Sequence, residues 1–167
     1  MKAVIQRVSR AEVKIDGRVI SEIGTGLVVF LGIEKTDDLK DVEFLAEKIT
    51  KLRCFEDQRG KMNISVSEVN GELLVVPEVT LCTNLTSGRR PGFENAAQPE
   101  LAERLYQDFI NLSSKRNLRI KQGRFKAHMI VAIFNDGPVT FVLDSHAIKA
   151  ESESQRVRKS ESQEGKV

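Results

Sequence analysis

The sequence predicts an α/β fold, a three-layer α/β/β domain with mixed or antiparallel sheets. Three observations predict it. Seven segments read as strands and two as helices, in the order β-β-β-α-β-β-α-β-β. Turn dipeptides such as Asp16-Gly17 and Asn70-Gly71 mark hairpin connections between neighbouring strands. Only two segments repeat apolar residues at spacings of three and four, so the helices form one layer beside sheet packed on sheet.

Each element has its own signal. Residues 2–9 alternate weakly and read as a strand. Val13 and Ile15, then Asp16-Gly17, then Val19 and Ile20 form a hairpin, because Asp-Gly accepts the positive φ angles of a type I′ turn. Residues 27–33, LVVFLGI, are continuously apolar and read as a strand buried on both faces. Thr36, Asp37 and Asp38 offer helix caps, and Leu39, Val42, Leu45, Ile49 and Leu52 place a helix over 38–53. Residues 61–66 read as a short strand or an extended connection. Residues 72–81, ELLVVPEVTL, read as a second buried strand, in which Pro77 must end, bulge or edge the ladder because it has no N–H to donate. Gln98-Pro99 opens a second helix with the stripe Leu101, Leu105, Phe109 and Leu112. Residues 125–134 and 139–143 are the last strands, joined by the turn residues of NDGP.

Residues 1–145 form one domain on this reading. Residues 146–167 have no aromatic residue and are rich in Ser, Glu, Lys and Gln, so they read as a disordered or loosely helical tail. Hydrophobic residues make up 40% of the chain, enough for a core, and with no Trp and one Tyr that core is aliphatic plus Phe. No apolar run approaches the roughly 20 residues of a membrane-spanning helix, and MKAVIQRVSR lacks the apolar region of a signal peptide. The expected location is therefore cytoplasmic, with no membrane partner. Cys54, Cys82, His128 and His146 do not form a His/Cys metal pattern. The formal net charge is +2, but residues 115–126 carry six basic residues and no acid. That run is either a solvated surface or a phosphate-contacting patch.

No P-loop, GxGxxG, GxSxG or HExxH motif is present. A Cys82–His128 pair has no local support, and His128 reads as a packing residue of a strand. Two stretches stand out. Pro77-Glu78-Val79-Thr80 ends a buried strand, where freed backbone amides and the Thr80 hydroxyl could bind a ligand; an edge strand with a bulge is the plainer reading. Asn135-Asp136-Gly137-Pro138 is a stiff tip, since Gly admits close approach and Pro fixes φ; a hairpin turn is the plainer reading.

Taken together, MKAVIQRVSRAEVKIDG, KLRCFEDQRGKMN, GELLVVPEVTL, GRRPGF, QGRFKAHM and NDGPVTFVLDS, in that order over residues 1–145, resemble the D-aminoacyl-tRNA deacylase family. The resemblance implies a homodimeric α/β/β domain that hydrolyses the ester between a D-amino acid, or glycine, and the 3′-terminal adenosine of tRNA, without a metal or organic cofactor. It implies that Gly137-Pro138 matches a Gly-cisPro motif that enters the partner subunit's active site and excludes L-amino acids. It implies that Arg7 and Asn135 belong to that gate, with Arg7 steadying it. Phe125, Ala127 and Met129 fall at positions that line the adenosine and aminoacyl pocket. Pro77, Glu78, Val79 and Thr80 take the place of the catalytic strand motif, usually Ser-Gln-Phe-Thr. The Pro-Gln-Ala-Thr version marks an animal-type relative that removes L-alanine and whose Gly-Pro bond is trans. An L-alanine-removing enzyme and a catalytically weakened tRNA-binding homologue therefore stay open as alternatives. Lys126 stands where the family usually has Gly.

Overall fold

The computed structural model describes residues 1–86, 88–116, 118–151 and 154. The strands and the first two α-helices follow in the order β1 (Lys2–Ile15), β2 (Arg18–Ile23), β3 (Gly26–Gly32), α1 (Leu39–Thr50), β4 (Arg53–Glu56), β5 (Met62–Ser65), β6 (Glu72–Pro77), α2 (Pro99–Ser114), β7 (Arg119–Gln122) and β8 (Ile130–Asp144). The fold is mixed α/β. The main sheet runs β2-β1-β3-β6-β7, with β8 also paired to β1, while β4 and β5 form a separate two-stranded sheet.

Strand β1 organises the molecule because it outruns its neighbours. One edge pairs first with β3 (Lys2–Val8) and then with β2 (Ala11–Ile15); the other edge pairs with β8 from Lys2 to Lys14. All three pairings are antiparallel. Strands β3, β6 and β7 are parallel, which their helical crossovers allow. The Ser21 hydroxyl donates to Gln122 O at 2.6 Å, tying β2 to β7 and curling the sheet nearly into a barrel. Gly26 makes the β3–β6 approach possible: a Cβ there would lie 2.0 Å from Glu72 O.

Local chemistry accounts for the elements that the sequence anticipates. Asp16 (φ +49) and Gly17 (φ +76) make the turn between β1 and β2. Asp38 caps α1 by accepting from the Lys40 and Asp41 amides, and Asp41 Oδ2 accepts back from the Asp38 amide at 3.1 Å. Alternate residues of the central strands then feed two apolar clusters. Ala3, Ile5, Leu27, Val29, Leu73 and Val75 meet the buried stripes of both helices, including Leu45, Ile49, Leu105 and Phe109. Val8, Ala11, Val13, Val28, Leu74 and Val76 pack on the opposite face with Met129, Val131 and Ile133, and no helix residue joins them. Each large aliphatic side chain buried there contributes about 1.5–3 kcal/mol.

Four expectations need correction. Helix α1 stops at Thr50 because Arg53 already starts β4. That strand escapes a pattern reading because its two central residues, Cys54 and Phe55, are both buried. The strand expected over 72–81 ends at Pro77: the Glu78 amide still donates to Leu31 O at 2.9 Å, and Val79–Cys82 then turn into a 3-10 helix. Residues 125–129 lie outside any strand, and β7 sits inside the basic run.

The fourth correction is NDGP. It does not join two hairpin strands. Both flanks lie in β8 and pair with the same strand β1, in the same direction. Gln6 pairs with Thr140 and Val8 with Asn135, so 136–139 have no partner on β1 and bulge from the ladder.

Beyond Asp144 the chain is helical through residue 151 and packs on α1. Lys149 Nζ lies 2.8 Å from Asp41 Oδ1, and His146 Nε2 lies 2.8 Å from Asp37 Oδ1. Asp37 also binds the Met1 amino group. The tail expected over 146–167 otherwise falls at 152, 153 and 155–167, outside the described residues. Among the described residues, no helix is long and apolar enough to cross a membrane.

Candidate active site

Parallel strands tend to carry ligand sites at their carboxyl ends, and β3 and β6 end together. A cleft of about 390 Å³ opens there. Its walls come from four places: Leu31 and Ile33 at the end of β3, Val76 to Val79 at the end of β6, Pro99 and Ala102 at the start of α2, and 125–129 before β8. The lining is mostly apolar. Among the described residues Glu78 is its one carboxylate and Lys126 its one ammonium.

Packing holds these walls in place. The Gly123 amide donates to Val75 O at 2.8 Å, and the buried Tyr106 hydroxyl donates to the same carbonyl at 2.8 Å. The Phe125 ring lies 6.3 Å from the Tyr106 ring, centroid to centroid. The Arg124 amide points at Met129 Sδ, 3.3 Å away. Glu78 caps the 3-10 turn with its own side chain: Oε1 accepts from the Thr80 hydroxyl and from the Thr80 amide at 3.4 Å. Burial pushes the Cys82 thiol up to about 11, and Cys82 is not part of the lining. A buried, protonated thiol is a poor nucleophile, so the Cys82–His128 pairing has no support.

The bulge is a separate construction. Arg7 is buried beneath it, and its Nε donates to Asp136 O at 2.9 Å while Nη1 donates to Cys54 O at 2.7 Å. Asn135 staples the base of the bulge. Its Oδ1 accepts from the Val139 amide at 2.7 Å, and its Nδ2 donates to Val139 O and to Thr140 Oγ1. The Gly137–Pro138 peptide bond is cis. Gly137 sits at φ +138, and a Cβ there would lie 2.6 Å from Val139 Cγ2 and 3.2 Å from Arg7 Nη2. Only glycine fits that conformation and that space.

The sequence-derived residues thus fall into two groups. Pro77, Glu78, Val79, Phe125, Ala127 and Met129 line the cleft. Thr80 stands behind Glu78, bonded to its carboxylate. Arg7, Asn135, Gly137 and Pro138 build the bulge and are not among the residues lining the cleft of their own chain. His128 is exposed in the cleft wall rather than packed in a strand, and Leu31, Ile33, Pro99 and Ala102 were not anticipated. These four are ordinary apolar residues, and nothing in the local pattern marks a core residue as pocket wall. Lys126 adopts φ +58, a left-handed conformation that suits glycine better than lysine.

Comparison with known proteins adds to this geometry. A family model described as D-Tyr-tRNA(Tyr) deacylase matches residues 4–144. The chain is 52% identical over 145 residues to the D-aminoacyl-tRNA deacylase of Syntrophus aciditrophicus (strain SB), covering 87% of this chain and 97% of that one. It is 47% identical over 148 residues to the D-aminoacyl-tRNA deacylase of Thermosipho africanus (strain TCF52B), covering 89% and 99%. The solved structure of a c-Myc DNA unwinding element binding protein superposes with a TM-score of 0.82 at 44% identity, covering 86% of this chain and 98% of that chain. That of a probable eukaryotic D-amino acid tRNA deacylase gives 0.75 at 14% identity with the same coverage, a likeness of fold.

Proposed function

The chain belongs to the D-Tyr-tRNA(Tyr) deacylase family, and we propose that it hydrolyses the ester joining a D-amino acid, or glycine, to the 3′-terminal adenosine of tRNA. The observation that carries the site assignment is the meeting of 77–79 with 125–129 in one cleft. An aminoacyl ester is already activated, so the protein mainly positions it and stabilises the oxyanion. Phe125, Ala127 and Met129 receive the adenosine and aminoacyl groups. The backbone amide of Val79 donates to the oxyanion, that of Thr80 being turned to Glu78, and the vicinal ribose hydroxyl of the substrate assists the attack of water. Thr80 acts beside Glu78, whose carboxylate it holds; Pro77 ends the strand, so that after the Glu78 amide, still bonded to Leu31 O, the Val79 amide lies outside the ladder.

Chirality is enforced by a second copy of the chain. The bulge is stiff, but the cleft of its own chain is built without it. Among the described residues β8 pairs only with β1, so its outer edge is open to them, and Ile130, Phe134 and Val142 are exposed along the strand. An uncovered edge of that length invites another chain. In the proposed homodimer the edge is covered, and Gly137-Pro138 enters the partner's cleft, where it leaves no room for an L side chain. Arg7 and Asn135 hold the tip. The two apolar clusters support α/β/β layering of each subunit, and the enzyme works in the cytoplasm, where aminoacyl-tRNA is used.

The test is incubation with D-tyrosyl-, glycyl- and L-alanyl-tRNA while ester loss is followed. Loss of the first two with retention of the third is expected. Loss of L-alanyl-tRNA alone, or of none of the three, overturns the assignment. Light scattering after size exclusion checks the dimer, and a monomer overturns the cross-subunit gate.

A further inference from the structure

The cleft holds one carboxylate, and its geometry is unusual. Glu78 Oε1 is engaged by the hydroxyl and amide of Thr80, whereas Oε2 has no partner among the described residues. Lys126 lines the same cleft, yet Glu78 forms no ion pair among those residues. The backbone at Glu78 is fixed as well, since its amide donates to Leu31 O at 2.9 Å. A half-buried carboxylate pinned by one oxygen and free at the other is a seat for a cation.

The substrate class supplies one. An aminoacyl ester with a free α-amino group carries an ammonium one carbon from the ester carbonyl, since α-amino groups titrate near pH 7.7–8.0. We propose that Glu78 Oε2 binds the α-ammonium of the aminoacyl group, making Glu78 the residue that selects free-amine esters over N-acylated ones. The proposal rests on the deacylase reading above. It also gives the negative charge at this position a use. The ammonium neutralises the carboxylate beside the Val79 amide that must face a developing oxyanion, and an N-acylated substrate leaves that charge unopposed. Lys126, on the other wall, has the sign to meet a phosphate instead.

The experiment compares kcat/KM for the 3′-D-tyrosyl ester of adenosine and for its N-acetyl counterpart, in wild type and in Glu78→Gln. Glutamine keeps an oxygen to cap Thr80, so the turn survives while the charge is lost. The expected result is wild-type preference for the free amine and a fall of that preference by about tenfold or more in the variant, the scale of a charge-assisted hydrogen bond. A preference that moves less than threefold, or two esters slowed alike, overturns the proposal and leaves a merely structural role for Glu78. A wild type inert to both esters and to D-tyrosyl-tRNA is a different failure: it removes the deacylase reading and this proposal with it.

Discussion

Replacing Arg7 by leucine tests whether the bulge is held from below. Arg7 is 5% exposed and gives two charge-assisted hydrogen bonds, to Asp136 O at 2.9 Å and to Cys54 O at 2.7 Å. The Glu56 and Asp136 carboxylates stand 3.6 and 3.7 Å away but are more than half exposed, so water screens them and they add little. Leucine leaves two carbonyls unpaired, one buried and one partly so, at about 1–3 kcal/mol each and roughly 3 kcal/mol together. At about 2–4 °C per kcal/mol for a chain of this size, the melting temperature falls by about 6–12 °C. The same change frees the tip, so the ratio of D-tyrosyl- to L-tyrosyl-tRNA cleavage falls too. Arg7→Lys keeps the charge but reaches only one carbonyl, and it lies between the two in both measurements. Thermal unfolding and the D/L ratio are the assays. A melting point within about 2 °C of wild type, with an unchanged ratio, refutes the reasoning.

Gly137→Ala cannot keep φ +138 or the contact 2.6 Å from Val139 Cγ2, so the tip shifts and L-aminoacyl-tRNA begins to be cleaved; full retention of chirality in kinetic assays contradicts this. Lys126→Gly removes a left-handed strain of about 1–2 kcal/mol at some cost in chain entropy, raising stability by roughly 1 kcal/mol; a lower melting temperature contradicts it. Burial pushes the Asp41 carboxyl up, but the Lys149 ammonium, the Ser145 hydroxyl and the Asp38 amide outweigh that and hold it well below the usual carboxylate range. A depressed folded-state value stabilises above the unfolded value of about 3.9, and the contribution is lost as pH falls through the folded one. Asp41→Asn should therefore flatten the acid limb below about pH 4 in urea titrations, and parallel limbs exclude it. Lys121 and Arg124 are exposed and form no ion pair among the described residues. Lys121→Glu or Arg124→Glu should weaken tRNA binding and lower its salt slope by about one per lost phosphate contact; unchanged binding leaves residues 115–126 a solvated surface.

Much of this molecule is legible locally. A cap such as Asp38 bonds within three residues, and Asp16-Gly17 closes its own turn, so neighbours in sequence suffice to read them. The continuous apolar runs of β3 and β6 report burial on both faces before any partner strand is known. Pro77 announces its own strand end, because a missing N–H is a property of the residue. Even the family, whose model matches residues 4–144, follows from the order of short motifs along the chain.

What the sequence could not decide depends on partners distant along the chain. Whether NDGP turns the chain back or bulges out of one strand depends on which strand each flank pairs with; both pair with β1, more than a hundred residues away. Gly137 looks like any turn glycine until Val139 and Arg7 close around it. Glu78 reads as one residue of a strand-end motif until one oxygen is tied to Thr80 and the residue lines the cleft. Leu31 and Ala102 become pocket walls only because the end of β3 and the start of α2 meet at the same place. Local dihedral preferences and caps determined the elements; hydrogen-bond pairing and burial across long separations determined which of their ends became a site.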